Sequence, residues 1–281
     1  MNPHAPAASQ RPPLSDAELR EYLAFAGELA DAAQQVVRPL FRVPLTVDDK
    51  SLDRGFDPVT EADRGAESAM RGLIRARYPS HGILGEEHGS HSGSSALTWV
   101  LDPIDGTRAF ITGMPLWGIL VALHDGERPA LGVVDQPYTG ERFIGSRLGA
   151  TLSARDGLHA LAVRACPSLA EAVLLSTHPD MFASDQERET FQALQRRVRL
   201  TRFGGDCYAY CMLAHGFADL VVEAGLKPYD IQALIPIIEA AGGLVTDWRG
   251  DSAWAGGRVV AAGDSRVHAE ALGVLAAAAS D

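Results

Sequence analysis

Leu97-Thr98-Trp99-Val100-Leu101-Asp102-Pro103-Ile104-Asp105-Gly106-Thr107 joins an apolar run to an acidic hexapeptide. The first five residues predict a buried strand, and Asp102 and Asp105 set two carboxylates where it ends. Pro103 cannot extend a central strand, and Gly106 permits the sharp turn that follows. Carboxylates this close repel each other unless a cation or a proton lies between them. Hard oxygen ligands of this kind suit Mg²⁺, which uses a few carboxylates together with substrate phosphate oxygens. The stretch therefore points to a Mg²⁺ site for phosphate chemistry at the end of a strand.

Upstream, Ser15-Asp16-Ala17-Glu18 is a capping box opening a helix that is expected to run to about Phe41. Residues 47–58 are polar and predict an extended loop or irregular hairpin. Thr60-Glu61-Ala62-Asp63 starts a second helix with Met70, Leu73 and Ile74 on its apolar face. A short strand at 82–84 leads into Gly85-Glu86-Glu87, and 89–95 reads as a Gly/Ser-rich surface loop. Downstream, strand-like runs at 117–124, 130–134 and 142–144 suggest an antiparallel meander, extended near 151–152 and 160–163. From Leu169 strands and helices alternate, ending with one apolar helix over 230–241 before Gly242-Gly243 and a final Ala-rich helix. The fold class is α/β with an α+β first half. Its expected parts are a disordered tail over 1–14, an α+β metal-binding domain over 15–165 and an α/β domain over 166–281.

Composition narrows the function classes. The chain has 281 residues, 46% hydrophobic and 22% charged, an ordinary globular balance. No apolar stretch approaches the roughly 20 residues a membrane span needs. A formal charge of −11 argues against nucleic acid, whose phosphate backbone needs a basic surface. It allows a small phosphorylated metabolite, because a bound cation inverts the local potential. Cys166, Cys207 and Cys211 are few and unpatterned for zinc, as expected of a cytoplasmic protein without disulfides.

The acidic groups Asp57/Asp63, Glu86/Glu87, Asp102/Asp105 and Asp230 need one explanation. Singly, Asp63 reads as a first-turn helix acid and Asp230 as a helix cap. Together, Glu86, Asp102 and Asp105 each follow a predicted buried strand, so they converge on one sheet edge where open α/β folds bind ligands. Gly106 and Thr107 begin an element whose free N–H groups can hold a phosphate.

These residues resemble the inositol monophosphatase family of Mg²⁺-dependent, lithium-sensitive phosphomonoesterases. The resemblance rests on Asp57-Pro-Val-Thr60-Glu-Ala-Asp63, Gly85-Glu86-Glu87, Asp102-Pro-Ile-Asp105-Gly-Thr107, and Tyr229-Asp230 followed by Glu239-Ala-Ala-Gly242-Gly243. It implies a layered αβαβα sandwich, commonly a homodimer, and two to three Mg²⁺ ions, with Mn²⁺ as a substitute. Glu86, Asp102 and the Ile104 carbonyl are then ligands of a first metal, and Asp102, Asp105 and Asp230 of a second. Glu86 also faces a third metal, with Glu87 nearby. Thr107 pairs with Asp63 to orient the attacking water, while the Gly106 and Thr107 amides hold phosphate. Lys50 matches the family's upstream lysine, at a spacing about two residues too long.

Specificity is expected from the second half, through Arg202, Asp206 and Glu223. Two acids near the leaving group suit a cationic alcohol. Gly204-Gly205-Asp206-Cys207-Tyr208-Ala209-Tyr210 and Arg108 after Thr107 resemble the histidinol-phosphate phosphatase branch, which implies hydrolysis of L-histidinol phosphate in histidine biosynthesis. The competing readings are an inositol 1-phosphate, sugar or nucleotide phosphatase, and a non-catalytic metal- or ligand-binding regulator on the same scaffold.

Overall fold

In the computed structural model, residues 13–44, 46–49 and 58–276 are described. Lys50 and Asp57 lie outside them. Helix α1 (Asp16–Val37) opens on the expected capping box, with the Ser15 hydroxyl accepting from the Glu18 N–H. It buries Leu19, Tyr22, Phe25, Ala26, Leu29 and Ala33, a stripe at helical spacing. It ends earlier than expected, because Pro39 lacks the N–H that another turn needs and a 3₁₀ turn (Arg38–Leu40) replaces it. Leu14, assigned to the disordered tail, is instead buried beside α1, and its carbonyl accepts from Arg147. Helix α2 (Glu61–Arg77) packs beside α1, capped by Thr60. Leu73 is 38% exposed, so the apolar face of α2 is carried by Ala62, Ala66, Met70 and Ile74.

A two-stranded ribbon, β1 (Val47–Asp49) with β2 (Pro58–Thr60), leads into α2. The first large sheet contains β3 (Gly82–Gly85), β4 (Gly89–His91), β5 (Thr98–Asp105), β6 (Gly118–His124), β7 (Pro129–Gln136), β8 (Glu141–Ser146), β9 (Gly149–Ala154) and β10 (Gly157–Ala160). Its order is β10-β9-β8-β7-β6-β5-β3-β4, antiparallel except between β3 and β5. Part of the expected surface loop thus forms the edge strand β4, and the last strand ends where it was expected to begin. β5 also runs further than expected. A register shift between Asp102 and Asp105 accommodates Pro103, which has no N–H for a ladder bond.

The second sheet contains β11 (Val173–Ser176), β12 (Leu200–Phe203), β13 (Leu220–Leu226), β14 (Leu244–Asp247) and β15 (Gly257–Ala262), in the order β12-β11-β13-β15-β14. β11 pairs in parallel with β12 and β13, and β15 in antiparallel with β13 and β14. After α3 (Thr107–Ile111) and α4 (Asp185–Gln195) come α5 (Asp206–Ala214), α6 (Pro228–Ile231), α7 (Leu234–Ala240) and α8 (Ser265–Leu275). α1 and α2 cover the outer face of the first sheet, α5 and α7 fill the space between the sheets, and α4 and α8 cover the second. The layering is αβαβα. Burying Leu234, Ile237 and Ile238 in the middle layer contributes about 1.5–3 kcal/mol per side chain.

The single helix expected over 230–241 is two helices. Pro236 has no N–H for the Gln232 carbonyl and its ring crowds that group, so α6 stops at Ile231 and α7 begins at Leu234. α7 then lies directly on the first sheet. A Cβ at Gly132 would sit 1.9 Å from the Ala233 carbonyl oxygen, and one at Gly145 would sit 2.2 Å from the Ile237 Cα.

Candidate active site

The end of β5, the first turns of α5 and α6, and the turn after β3 surround a cavity of about 170 Å³ lined by Glu86, Asp102, Asp105 and Asp230. Asp102 is 1% exposed, and its Oδ1 accepts the Ile104 N–H at 3.1 Å. Asp105 Oδ2 accepts the Cys207 N–H at 2.6 Å, which ties β5 to α5 across 102 residues of chain. Asp230 Oδ2 accepts the Lys227 N–H at 2.7 Å, so a local turn aims this carboxylate. One oxygen from each of Asp102, Asp105 and Asp230 lies within 4.8 Å of the others.

This assembly is electrostatically costly. Burial, followed by the Glu86, Asp105 and Asp230 charges, holds the Asp102 carboxyl well above the usual range. Burial and the nearby Asp206 and Asp230 do the same to Asp105, and Asp230 is pushed up to about 7, chiefly by burial. Such a cluster is relieved by protons or by a cation. All-oxygen donors gathered this closely suit a hard divalent cation. When bound, such an ion polarises phosphate oxygens and lowers the pKa of water.

Beside the cluster, Asp63 is fully buried and doubly anchored. Its Oδ2 accepts the Thr60 N–H at 2.8 Å and the Thr60 hydroxyl at 2.5 Å. Its Oδ1 faces the Thr107 hydroxyl at 3.4 Å, while that hydroxyl also approaches the Ile104 carbonyl at 3.1 Å. The capping box that starts α2 therefore also orients the acid beside Thr107. Gly106 turns the chain from β5 into α3 at φ 86°, a conformation that other residues adopt at a cost. A Cβ there would lie 3.2 Å from the Asp206 side chain, so the turn and Asp206 are in close apposition.

The second half also contributes to the lining. Glu223, on β13, is 2% exposed and pushed up to about 7 by burial. Its Oε1 accepts the Thr177 N–H at 2.8 Å and its Oε2 accepts the Tyr210 hydroxyl at 2.9 Å. Asp206 is pushed up to about 6 by burial, which the Arg108 charge partly offsets. Asp206 adopts φ 43° at the head of α5, where its N–H donates to the Thr177 hydroxyl at 3.1 Å. Thr177 thus links both acids. The sequence reading missed it because it lies after a strand in an unremarkable Ser-Thr-His run.

Other expected residues lie elsewhere. Arg202 sits on the edge strand β12, exposed, and does not line the cavity. Glu87 is half-buried behind Glu86 and is also absent from the lining. Cys207, a buried free thiol, does line the cavity, whereas Cys211 is buried in the middle layer away from it. A further carboxylate that the sequence reading overlooked, Glu67 of α2, lies directly beneath Gly85-Glu86-Glu87. Its signal was an i, i+4 pairing with Arg71 on the buried stripe of the helix.

A layered α/β scaffold that gathers four acids around a small cavity has the donor set of a divalent-cation site. The chain matches the inositol monophosphatase family over residues 18–280, and it belongs to that family. It is 45% identical over 271 residues to the bifunctional phosphatase IMPL2, chloroplastic, of Arabidopsis thaliana, covering 92% of this chain and 76% of that one. It is 36% identical over 230 residues to a histidinol-phosphatase of Chlorobaculum parvum, covering 81% and 86% respectively. A solved inositol monophosphatase from Zymomonas mobilis superposes with a TM-score of 0.82 at 41% identity, covering 94% of this chain and all of that one. The protein is a phosphomonoesterase of this family, which depends on divalent metal and acts on small phosphorylated substrates. No helix among the described residues is long and apolar enough to cross a membrane.

Proposed function

We propose that this phosphomonoesterase hydrolyses L-histidinol phosphate to L-histidinol and phosphate, using Mg²⁺. The observation that carries the substrate is the presence of both Asp206 and Glu223 in the lining of the cavity that Asp102, Asp105 and Thr107 also line. A neutral polyol gives no reason to bury two carboxylates there. A leaving group with an ammonium or imidazolium stabilises both. The left-handed backbone at Asp206 costs on the order of 1–3 kcal/mol, which fits a side chain kept for its contact with a ligand.

In this reading Glu86, Asp102, Asp105, Asp230 and the Ile104 carbonyl hold the metal. Thr107 and Asp63 orient the attacking water, whose proton passes by way of the Thr107 hydroxyl to Asp63. As the water oxygen bonds to phosphorus the bond to the alcohol oxygen breaks, and the departing alkoxide takes a proton from solvent. The Gly106 and Thr107 amides receive phosphate oxygens, and Asp206 and Glu223 bind the cationic end. The likeness to the Zymomonas mobilis inositol monophosphatase favours a second reading, inositol 1-phosphate. Phosphate release from the two esters with Mg²⁺ decides between them. Histidinol phosphate is expected to give the higher kcat/KM; an equal or lower value sinks the assignment.

A further inference from the structure

Glu67 is 0% exposed, lies outside the acidic cluster, and meets the one turn that carries Glu86. We propose that the Glu67–Arg71 pair positions that turn, and through it the metal affinity of the site. The inference rests on the assignment of Glu86 as a metal ligand.

The turn between β3 and β4 spans residues 86–88, because Gly85 and Gly89 are the last paired residues of the ladder. Its backbone is anchored on one side by β5, where the Glu86 N–H donates to the Leu101 carbonyl at 3.3 Å. The next two N–H groups have no strand partner. They donate to Glu67: the Glu87 N–H to Oε2 at 2.7 Å and the His88 N–H to Oε1 at 3.2 Å. Arg71 Nε donates to Glu67 Oε1 at 2.6 Å, and its guanidinium also donates to the Gly89 carbonyl. One carboxylate and one guanidinium therefore hold both limbs of the turn.

Glycine at position 85 is part of the device. A Cβ there would come 2.0 Å from Glu67 Oε1 and 2.4 Å from its Cδ, so the carboxylate occupies the space a side chain would take. The pair is a poor choice for stability alone, since well-packed apolar residues replace many buried ion pairs without loss. What it supplies is direction. Two charge-assisted N–H contacts and a planar guanidinium fork fix the turn in a way that apolar packing does not. Groups that orient a ligand-bearing segment typically change metal affinity by about 10–100-fold when removed.

The test is calorimetric titration of the metal-free full chain with Mg²⁺ alone, alongside kcat at rising Mg²⁺. Glu67→Gln keeps the volume but presents an NH₂ to a backbone N–H or to Arg71. Arg71→Lys keeps the charge and loses the fork. Both are expected to weaken Mg²⁺ binding, Glu67→Gln by about tenfold and Arg71→Lys by less, while saturating Mg²⁺ returns kcat to near the wild-type value. Should Glu67→Gln fail to fold, Arg71→Lys carries the test. Variants with a lowered melting temperature and wild-type Mg²⁺ affinity would show a purely structural pair and overturn the proposal. Glu86→Gln separates the two layers. If it weakens Mg²⁺ binding and the pair variants do not, only the positioning role fails; if it leaves binding unchanged, the ligand assignment fails and the proposal with it.

Discussion

The Thr107 hydroxyl lies 3.4 Å from Asp63 Oδ1, joining the start of α3 to the start of α2 across 44 residues. Because the other Asp63 oxygen accepts from Thr60, Oδ1 is the oxygen turned toward the Thr107 hydroxyl.

Asp63→Asn is therefore expected to lower kcat by about 10²–10⁴-fold, the usual contribution of a positioned proton acceptor. It also weakens the capping box of α2, at about 1 kcal/mol. Steady-state kinetics beside thermal melts separate the two effects. A stability loss with kcat within threefold of wild type counts against the role.

The acidic cluster sets a pH dependence. Asp102, Asp105 and Asp230 have folded-state pKa values raised above their unfolded ones, Asp230 to about 7. Their stabilising contribution is complete below the unfolded carboxylate range near 4 and is lost as pH rises through the folded values. Mg²⁺ is accordingly expected to raise the melting temperature more at about pH 8 than at about pH 5.5, where protons compete for the same oxygens. Equal shifts at the two values would argue that the cluster is not where the ion binds.

Asp102→Asn removes one repelling charge with little change in volume. At about pH 8 the metal-free variant is expected to melt higher than metal-free wild type, while activity falls by about 10³-fold or more. Scanning calorimetry in chelator and a phosphate-release assay check both. A variant that is both inactive and less stable would indicate that Asp102 is kept for the fold.

For selectivity, Asp206→Asn is more informative than Asp206→Ala, because asparagine also tolerates the left-handed backbone. The expected result is a roughly 10–100-fold rise in KM for histidinol phosphate, the scale of a lost charge-assisted contact, with little change for inositol 1-phosphate. Parallel rises for both esters would remove Asp206 from substrate recognition.

Much of the arrangement was legible because local chemistry coincides with strand ends. The hexapeptide named Asp102 and Asp105 from an apolar run and two acids, although β5 itself continues past the bulge to Asp105. The capping boxes at Ser15 and Thr60 were readable from spacing alone. What the chain does not announce is contact made by folding. Thr177 donates its N–H to Glu223 and accepts the Asp206 N–H, Glu67 accepts from the turn after β3, and no periodicity marks either residue. Arg202 shows the converse, a charged residue near the right motif whose edge strand keeps it outside the cavity lining. The division of 230–241 was available from Pro236, but the apolar pattern on both sides outweighed it.

Gly132 and Gly145 leave no methyl's thickness between the first sheet and the helix that follows Asp230. A random-mutation screen for lost activity would therefore recover substitutions at these two positions along with those at the carboxylates. Neither glycine lines the cavity. Such alleles would report how closely one layer rests on the next, and a genetic map of this enzyme would enclose more of the molecule than its chemistry does.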